Sequence, residues 1–183
     1  MKKYIEALLF ASTEPLSQSL INSIFPNEEV NLKEIVLDLN KDYQESNKLI
    51  YIKPIAEGYQ IFTKPECHIY IQRMYNKSKR MQLSIAGLEA LSIIAYKQPI
   101  SKSDVEHIRG VNCDSVIKTL LEKDLVTIKG RENSPGRALL YGTTQIFLEC
   151  FGLNKLTDLP KLKEISELIN DSSSPTTLFD ATE

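Results

Sequence analysis

Residues 83–110, LSIAGLEALSIIAYKQPISKSDVEHIRG, constrain the fold more than any other stretch of this chain. Ile85, Leu88, Leu91 and Ile94–Ala95 recur at helical spacing and predict one apolar face. Ser84 is placed to cap the start of that helix. Pro99 ends it, because the residue before a proline is driven out of the α region. Ser101-Lys102-Ser103-Asp104 has the form of a capping box, so a second helix begins at once. Gly110 suits the left-handed position that closes it. A third helix is expected over 113–124, with Val116–Ile117 and Leu120–Leu121 turned inward. Two β-rich runs follow, 125–129 and 137–142, with a turn-prone loop between them.

Three helices and then a β-hairpin is the order of a winged helix, and the first part of the chain repeats it. Residues 3–13 predict a helix with Ile5, Leu8 and Leu9 on one face, and Pro15-Leu16-Ser17 predicts a corner. Residues 17–25 give a short helix through Leu20, Ile21, Ile24 and Phe25, stopped before Pro26. Asn31 and Glu34 cap a third helix, where Leu32, Ile35, Val36, Leu39 and Tyr43 hold the helical period most cleanly. Strands are expected over 49–56 and 59–64, joined at Glu57-Gly58, with Pro54 forcing its strand to an edge. Glu6-Ala7-Leu8 echoes Glu89-Ala90-Leu91, and Pro15-Leu16-Ser17 echoes Pro99-Ile100-Ser101. One inserted residue reconciles the two spacings, so two tandem winged-helix units are expected. The fold class is mainly α with small β-hairpins, α+β. The 183 residues divide into 1–80, 81–160 and a tail at 161–183. Residues 66–80 are expected to be a helix leading into a joint at Asn76–Arg80. Units of about 75 residues lie near the lower limit for a self-sufficient core, so docking on a partner or a second copy would help them.

The fold often binds DNA through its third helix, but here the charge has the wrong sign. In 113–124, Lys118 and Lys123 face Asp114, Glu122 and Asp124. In 31–46, Lys33 and Lys41 face Glu34, Asp38, Asp42 and Glu45. A helix pressed between phosphates should be basic, since charge neutralisation dominates that affinity. The net charge of −2 supplies no global basic field either. Lys129, Arg131 and Arg137 against Glu132 read as a solvated wing tip or a weak phosphate contact, and Lys77, Lys79 and Arg80 as a solvated linker. Direct DNA binding is expected to be weak or absent.

Catalytic chemistry finds no constellation. Cys67 and His68 are adjacent without further ligands for a metal, and His107 sits near the end of a short helix. Cys113 and Cys150 fall on or beside apolar helix faces and are expected to be buried small hydrophobes. Gly130 and Gly136 flank a wing and not a strand-to-helix phosphate loop. No catalytic residue, metal or cofactor is expected. Three widely spaced cysteines fit a reducing compartment, and with no apolar run near the roughly 18 residues of a membrane span, a cytoplasmic protein is expected.

What remains is apolar surface. Leu139-Leu140-Tyr141 alternates as a strand, and Thr143 or Thr144 can cap a last helix closed by Gly152. Ile146, Phe147, Cys150 and Phe151 share one face of that helix, and Leu153, Leu156 and Leu159 extend the series to Pro160. Much of this is core, yet a short unit with so many large apolar groups after its hairpin can present a groove for an amphipathic helix or an added strand. The spacing of Leu162, Ile165 and Ile169 predicts one more amphipathic helix over 161–170, and the end DSSSPTTLFDATE is expected to be disordered.

The blocks Tyr96-Lys97-Gln98-Pro99-Ile100, Ile108-Arg109-Gly110, Pro135-Gly136-Arg137 and Leu140-Tyr141-Gly142-Thr143-Thr144 together resemble segregation and condensation protein B. Ser134 departs from the glycine expected before Pro-Gly-Arg. The resemblance implies a bacterial, non-enzymatic protein of two winged-helix domains, associated with the nucleoid and acting in chromosome condensation and segregation at cell division. It implies a homodimer, formed through the first unit. It also implies binding of the kleisin, segregation and condensation protein A, and through it of the SMC ATPase. For the kleisin contact the candidates are Leu139, Tyr141, Phe147 and Phe151, with Arg137 shaping the wing or pairing with an acidic partner residue. A tandem winged-helix transcription regulator is the alternative.

Overall fold

The computed structural model describes residues 1–75 and 83–161. In the first unit α1 spans Lys2–Ala11, two residues short of the expected end, and α2 spans Gln18–Ile24. The Ser17 hydroxyl caps α2 by accepting the Leu20 N–H. Asn31 caps α3, Leu32–Glu45, by accepting the Glu34 N–H at 3.3 Å. Leu32, Val36, Leu39 and Tyr43 on α3 are all buried, as their spacing requires. On α2 only Ile21 is buried, while Leu20 and Ile24 point outward. Seven residues give a helix too few turns to bury a second stripe.

Strands β1, Ile50–Ile55, and β2, Gly58–Thr63, pair antiparallel from Ile50↔Thr63 to Ile55↔Gly58. The outer edge of β1 is met by Asn40 of α3, which donates to the Ile52 carbonyl at 2.7 Å and accepts its N–H at 2.8 Å. The turn corrects the expected joint by one residue. Its tip is Ala56–Glu57, with φ of 48° and 61°, and Gly58 lies inside the ladder. Gly58 is small for another reason. A Cβ there would lie 2.9 Å from backbone and side-chain carbons of Pro15, whose neighbour Leu16 pairs with Tyr59. The expected helix at 66–80 starts as a 3-10 turn, Pro65–Cys67, and continues as α4, His68–Tyr75. Its remainder, the joint at 76–80 and the boundary between 80 and 81 lie outside the described residues.

The second unit begins with α5, Ile85–Lys97, capped by Ser84, which accepts the Gly87 N–H at 3.1 Å. Its buried stripe is Gly87, Ala90, Leu91, Ile94 and Ala95. Ile85, expected on that face, is 78% exposed. Ile85 occupies the first helical turn, off the stripe of α5 that faces the core. The chain then turns at a cis Gln98–Pro99 peptide into β3, Ile100–Ser101, and α6, Lys102–Arg109. Ser101 accepts the Asp104 N–H and donates to the Asp104 carboxylate at 2.6 Å. Gly110 closes α6 with φ of 74°. The third helix, α7, spans Asp114–Glu122 with Ile117 and Leu120 buried, and Val116 and Leu121 half-buried against the same core.

Strands β4, Val126–Arg131, and β5, Leu139–Thr143, complete a sheet of order β3-β5-β4. Thr144 caps α8, Gln145–Phe151, and left-handed Gly152 ends it. The signature blocks of the sequence meet here. Gln98 donates to Thr143 Oγ1 at 2.9 Å and accepts the Thr143 N–H at 2.8 Å. Gly142 leaves room for this, since a Cβ there would stand 2.7 Å from Gln98 Oε1.

The internal echo is physical. Ser17 and Ser101 both cap the second helix of their units. The residue before each serine pairs with a return-strand tyrosine, Leu16 with Tyr59 and Ile100 with Tyr141. The two units also touch. The Ala56 N–H donates to the Leu153 carbonyl at 2.9 Å, and the Glu57 N–H to the Asn154 carbonyl at 3.0 Å. Gln145 donates to the Ala56 carbonyl at 2.6 Å. A left-handed backbone costs a non-glycine residue about 1–2 kcal/mol, and these three bonds hold the Ala56–Glu57 turn there.

Candidate functional site

An apolar groove of about 810 Å³ runs between α5 and α8. One wall is α5, through Leu88, Leu91 and Tyr96, and the other is α8, through Phe147 and Phe151. Leu153, Leu159 and Pro160 close the far side, where the chain returns through a 3-10 turn at Leu156–Asp158. The Thr144 cap and the Gly152 stop fix α8 at two turns, so its two phenylalanines, one turn apart, point the same way. Their ring centroids lie 4.8 Å apart. Phe147 is 2% exposed and forms the floor, whereas Phe151 is 37% exposed and forms the rim. The Tyr96 hydroxyl donates to the Pro160 carbonyl at 2.7 Å and pins the returning segment.

Of the residues singled out from the sequence, the groove gathers Phe147 and Phe151. Tyr141 is buried, paired with Ile100 and Ile128 in the sheet, and Leu139 is half-buried against the same core. Arg137 stands exposed at the wing tip with φ of 44°, its carbonyl accepting from Arg131 at 3.3 Å. The wing and the groove are therefore separate surfaces. Two expectations for α8 are corrected. Cys150 is exposed at the groove and Ile146 is 39% exposed, because this short helix is covered only along the stripe that carries Phe147. Desolvation by its apolar surroundings still pushes the Cys150 thiol above its ordinary value. Sequence reasoning missed Leu83, Tyr96 and Pro160 as groove residues. The signal was Tyr96, a large side chain off the buried stripe of α5.

Lys41 of α3 and Lys118 of α7 lie in ion pairs. Lys41 lies 3.9 Å from Glu45, and Lys118 3.8 Å from Glu122, one turn on along the same helix. Lys2 bridges Asp38 and Asp42 of α3, and the hydrogen bonds to both raise its pKa, that to Asp38 most. Lys102 contacts Asp114, raising its own pKa and lowering that of Asp114, which Asn112 also holds down. Such pairs leave little positive potential for a phosphate backbone. Elsewhere the Tyr43 phenol, buried against Glu6, is pushed well above its ordinary range, first by burial and then by its 2.9 Å bond to that carboxylate. Arg109 is enclosed between Glu89 at 2.9 Å and the Cys113 thiol at 3.1 Å, so this arginine ties α6 to α5 and to the start of α7.

His68 and His107 are exposed, and among the described residues no three His, Cys, Asp or Glu side chains converge on a metal-sized site. No helix among them is long and apolar enough to cross a membrane. The first unit exposes its own large apolar groups, Phe10 at 85% and Tyr4 on α1, Leu37 on α3, and Tyr70 and Met74 on α4.

A family model described as segregation and condensation complex subunit ScpB matches residues 3–162. A segregation and condensation protein B of Desulforamulus reducens is 47% identical over 163 residues, which are 89% of this chain and 90% of that protein. One from Syntrophotalea carbinolica is 41% identical over 181 residues, 99% of this chain and 91% of that protein. A crystal structure described as a dimer of ScpB N-terminal domain complexed with ScpA peptide covers 43% of this chain and 91% of its own, at 26% identity and a TM-score of 0.36.

Proposed function

We infer the function from one premise: this chain belongs to the family of segregation and condensation complex subunit ScpB. It works as a non-enzymatic adaptor. A homodimer grips the kleisin, segregation and condensation protein A, and through it is tethered to the SMC ATPase that condenses and separates chromosomes. The site of action is the cytoplasm, at the nucleoid. Residues 1–80 supply the dimer contact, residues 81–160 hold the kleisin, and DNA is handled elsewhere in the assembly.

The family match over 3–162 is the observation that carries this reading. Two physical features support it. The third helices are acidic, and Lys41 and Lys118 each lie beside a glutamate one turn on, which suits a scaffold turned from phosphate to polypeptide. Each unit also keeps large apolar groups outside its core, Phe10 and Tyr70 in the first, Phe151 and the groove in the second. An amphipathic helix laid in the groove would contact Phe151 and Tyr96 directly and Phe147 from above, while Arg137 on the wing meets an acidic partner residue.

Titrating the purified kleisin into this protein tests the proposal. Retention at micromolar concentration is expected, and none would overturn it. Duplex DNA of mixed sequence at low salt is the control. Tight binding that falls steeply with added salt would favour the transcription regulator instead.

A further inference from the structure

We propose that the outer edge of β4, on the wing of the second unit, takes an added strand from an extended, acidic segment of the partner polypeptide. The sheet order β3-β5-β4 bonds β4 on one side, and among the described residues no strand pairs with its other side. The register fixes which backbone groups are left over. The Thr144 N–H donates to the Leu125 carbonyl at 3.3 Å, and the Glu132 N–H to the Ala138 carbonyl at 2.8 Å, so Leu125 and Glu132 bond inward to β5. Antiparallel pairs alternate between bonded and non-bonded. Counting inward from both ends to the irregularity between Ile128 and Gly130, Thr127 and Gly130 also bond to β5, whereas Ile128 and Arg131 turn their N–H and carbonyl groups away from it. Val126 has the same parity but is buried. Ile128 is 49% exposed, and no described group outside the sheet bonds the Ile128 or Arg131 backbone.

Charge decides the occupant. Lys129, Arg131 and Arg137 are exposed on this wing, and among the described residues none of them lies in an ion pair. The Arg131 guanidinium donates to the Arg137 carbonyl, and nearby Glu132 accepts from the Ser134 hydroxyl at 2.8 Å. Cations along an edge repel the same edge of a second copy, which guards an exposed strand against self-pairing. They attract a strand that carries carboxylates at alternate positions. A phosphate backbone would use the cations but has no donor for the outward Ile128 carbonyl. A polypeptide strand satisfies both. The inference rests on the adaptor reading, with the kleisin as the source of the strand, and adds a second contact separate from the groove.

Amide hydrogen exchange of the full chain, followed by NMR with and without saturating purified kleisin, tests this. The Ile128 and Arg131 amides should slow by about tenfold or more in the complex, while those of Thr127 and Gly130, already bonded to β5, change little. Ile128→Pro removes an outward donor and leaves the ladder intact, since proline is tolerated where a strand N–H faces away from its partner. It should weaken kleisin binding about fivefold. Arg131→Glu with Arg137→Glu should weaken it about tenfold and flatten its dependence on salt. Kleisin binding with both amides still exchanging fast would overturn this proposal and leave the adaptor reading standing. No kleisin binding at all would overturn both. Protection that rises with protein concentration alone, or that duplex DNA confers and the kleisin does not, would also overturn it, because the edge would then serve a second copy or a phosphate backbone.

Discussion

Truncating Phe147 and Phe151 in turn separates the floor of the groove from its rim. Phe147 is 2% exposed and sits in the core with Leu91, Ile94, Leu125 and Tyr141. Phe147→Ala removes a ring that nothing can replace and costs about 3–5 kcal/mol, through lost transfer energy and the cavity left behind. For a chain of this size that lowers the melting temperature by about 10 °C. Phe151 is 37% exposed and stacks on Phe147 at 4.8 Å. Burying a whole phenylalanine contributes about 1.5–3 kcal/mol, so Phe151→Ala costs about 1–2 kcal/mol. Urea unfolding followed by circular dichroism measures both costs, and a kleisin titration measures binding. Phe151→Ala should stay folded and lose about tenfold or more in affinity, since a rim aromatic is the kind of anchor that dominates an interface. Equal destabilisation by the two variants would refute the division into floor and rim. Unchanged affinity in Phe151→Ala would remove the groove from the contact.

Gly58→Ala should destabilise the first unit by about 1–3 kcal/mol, because its Cβ meets Pro15 backbone at 2.9 Å and pushes Leu16 off Tyr59. An unchanged urea midpoint would contradict that close approach. Gln145→Ala removes the bond to the Ala56 carbonyl and should cost about 1 kcal/mol. Its signature is faster hydrogen exchange at the Ala56 and Glu57 amides, and unaltered exchange there would mean that the turn holds itself. Lys102, and then Asn112, hold Asp114 below its unfolded pKa. The stability this lends is present above the ordinary carboxylate range and is lost as pH falls through the depressed value. The melting gap between wild type and Asp114→Asn should therefore close on acidification, and a gap independent of pH would rule this linkage out.

The caps and corners were legible in the sequence because each is a local contest. Asn31, Ser84 and Ser101 each outcompete water for a helix-end N–H within three residues, so the pattern alone places them, while the structure chooses Thr144 over Thr143 and adds Ser17. The tandem repeat was legible for the same reason, since Pro15-Leu16-Ser17 and Pro99-Ile100-Ser101 share the serine cap and the pairing with a return-strand tyrosine. Helix rotation was less so. Ile85 fits the period of α5 yet lies outside, because which stripe is covered depends on where α7 sits and not on the spacing. The β1–β2 turn lies one residue earlier than the Glu57-Gly58 joint that the sequence predicts. Gly58 serves close packing against Pro15, and the strained turn at Ala56–Glu57 is held by residues 153–154, nearly a hundred positions away. The groove was half visible. Phe147 and Phe151 announced it, but Tyr96 joins them only through the return of the chain to Pro160. All but the first residue of the helix expected over 161–170, and the tail beyond it, lie outside the described residues.

The adaptor reading makes one demand that no regulator or enzyme shares, a fixed ratio of this chain to the kleisin. Native mass spectrometry of the co-purified pair measures it. A particle holding two copies of this chain and a single kleisin is the predicted result. A lone copy of this chain, running separately from the kleisin at micromolar concentration, would contradict the account.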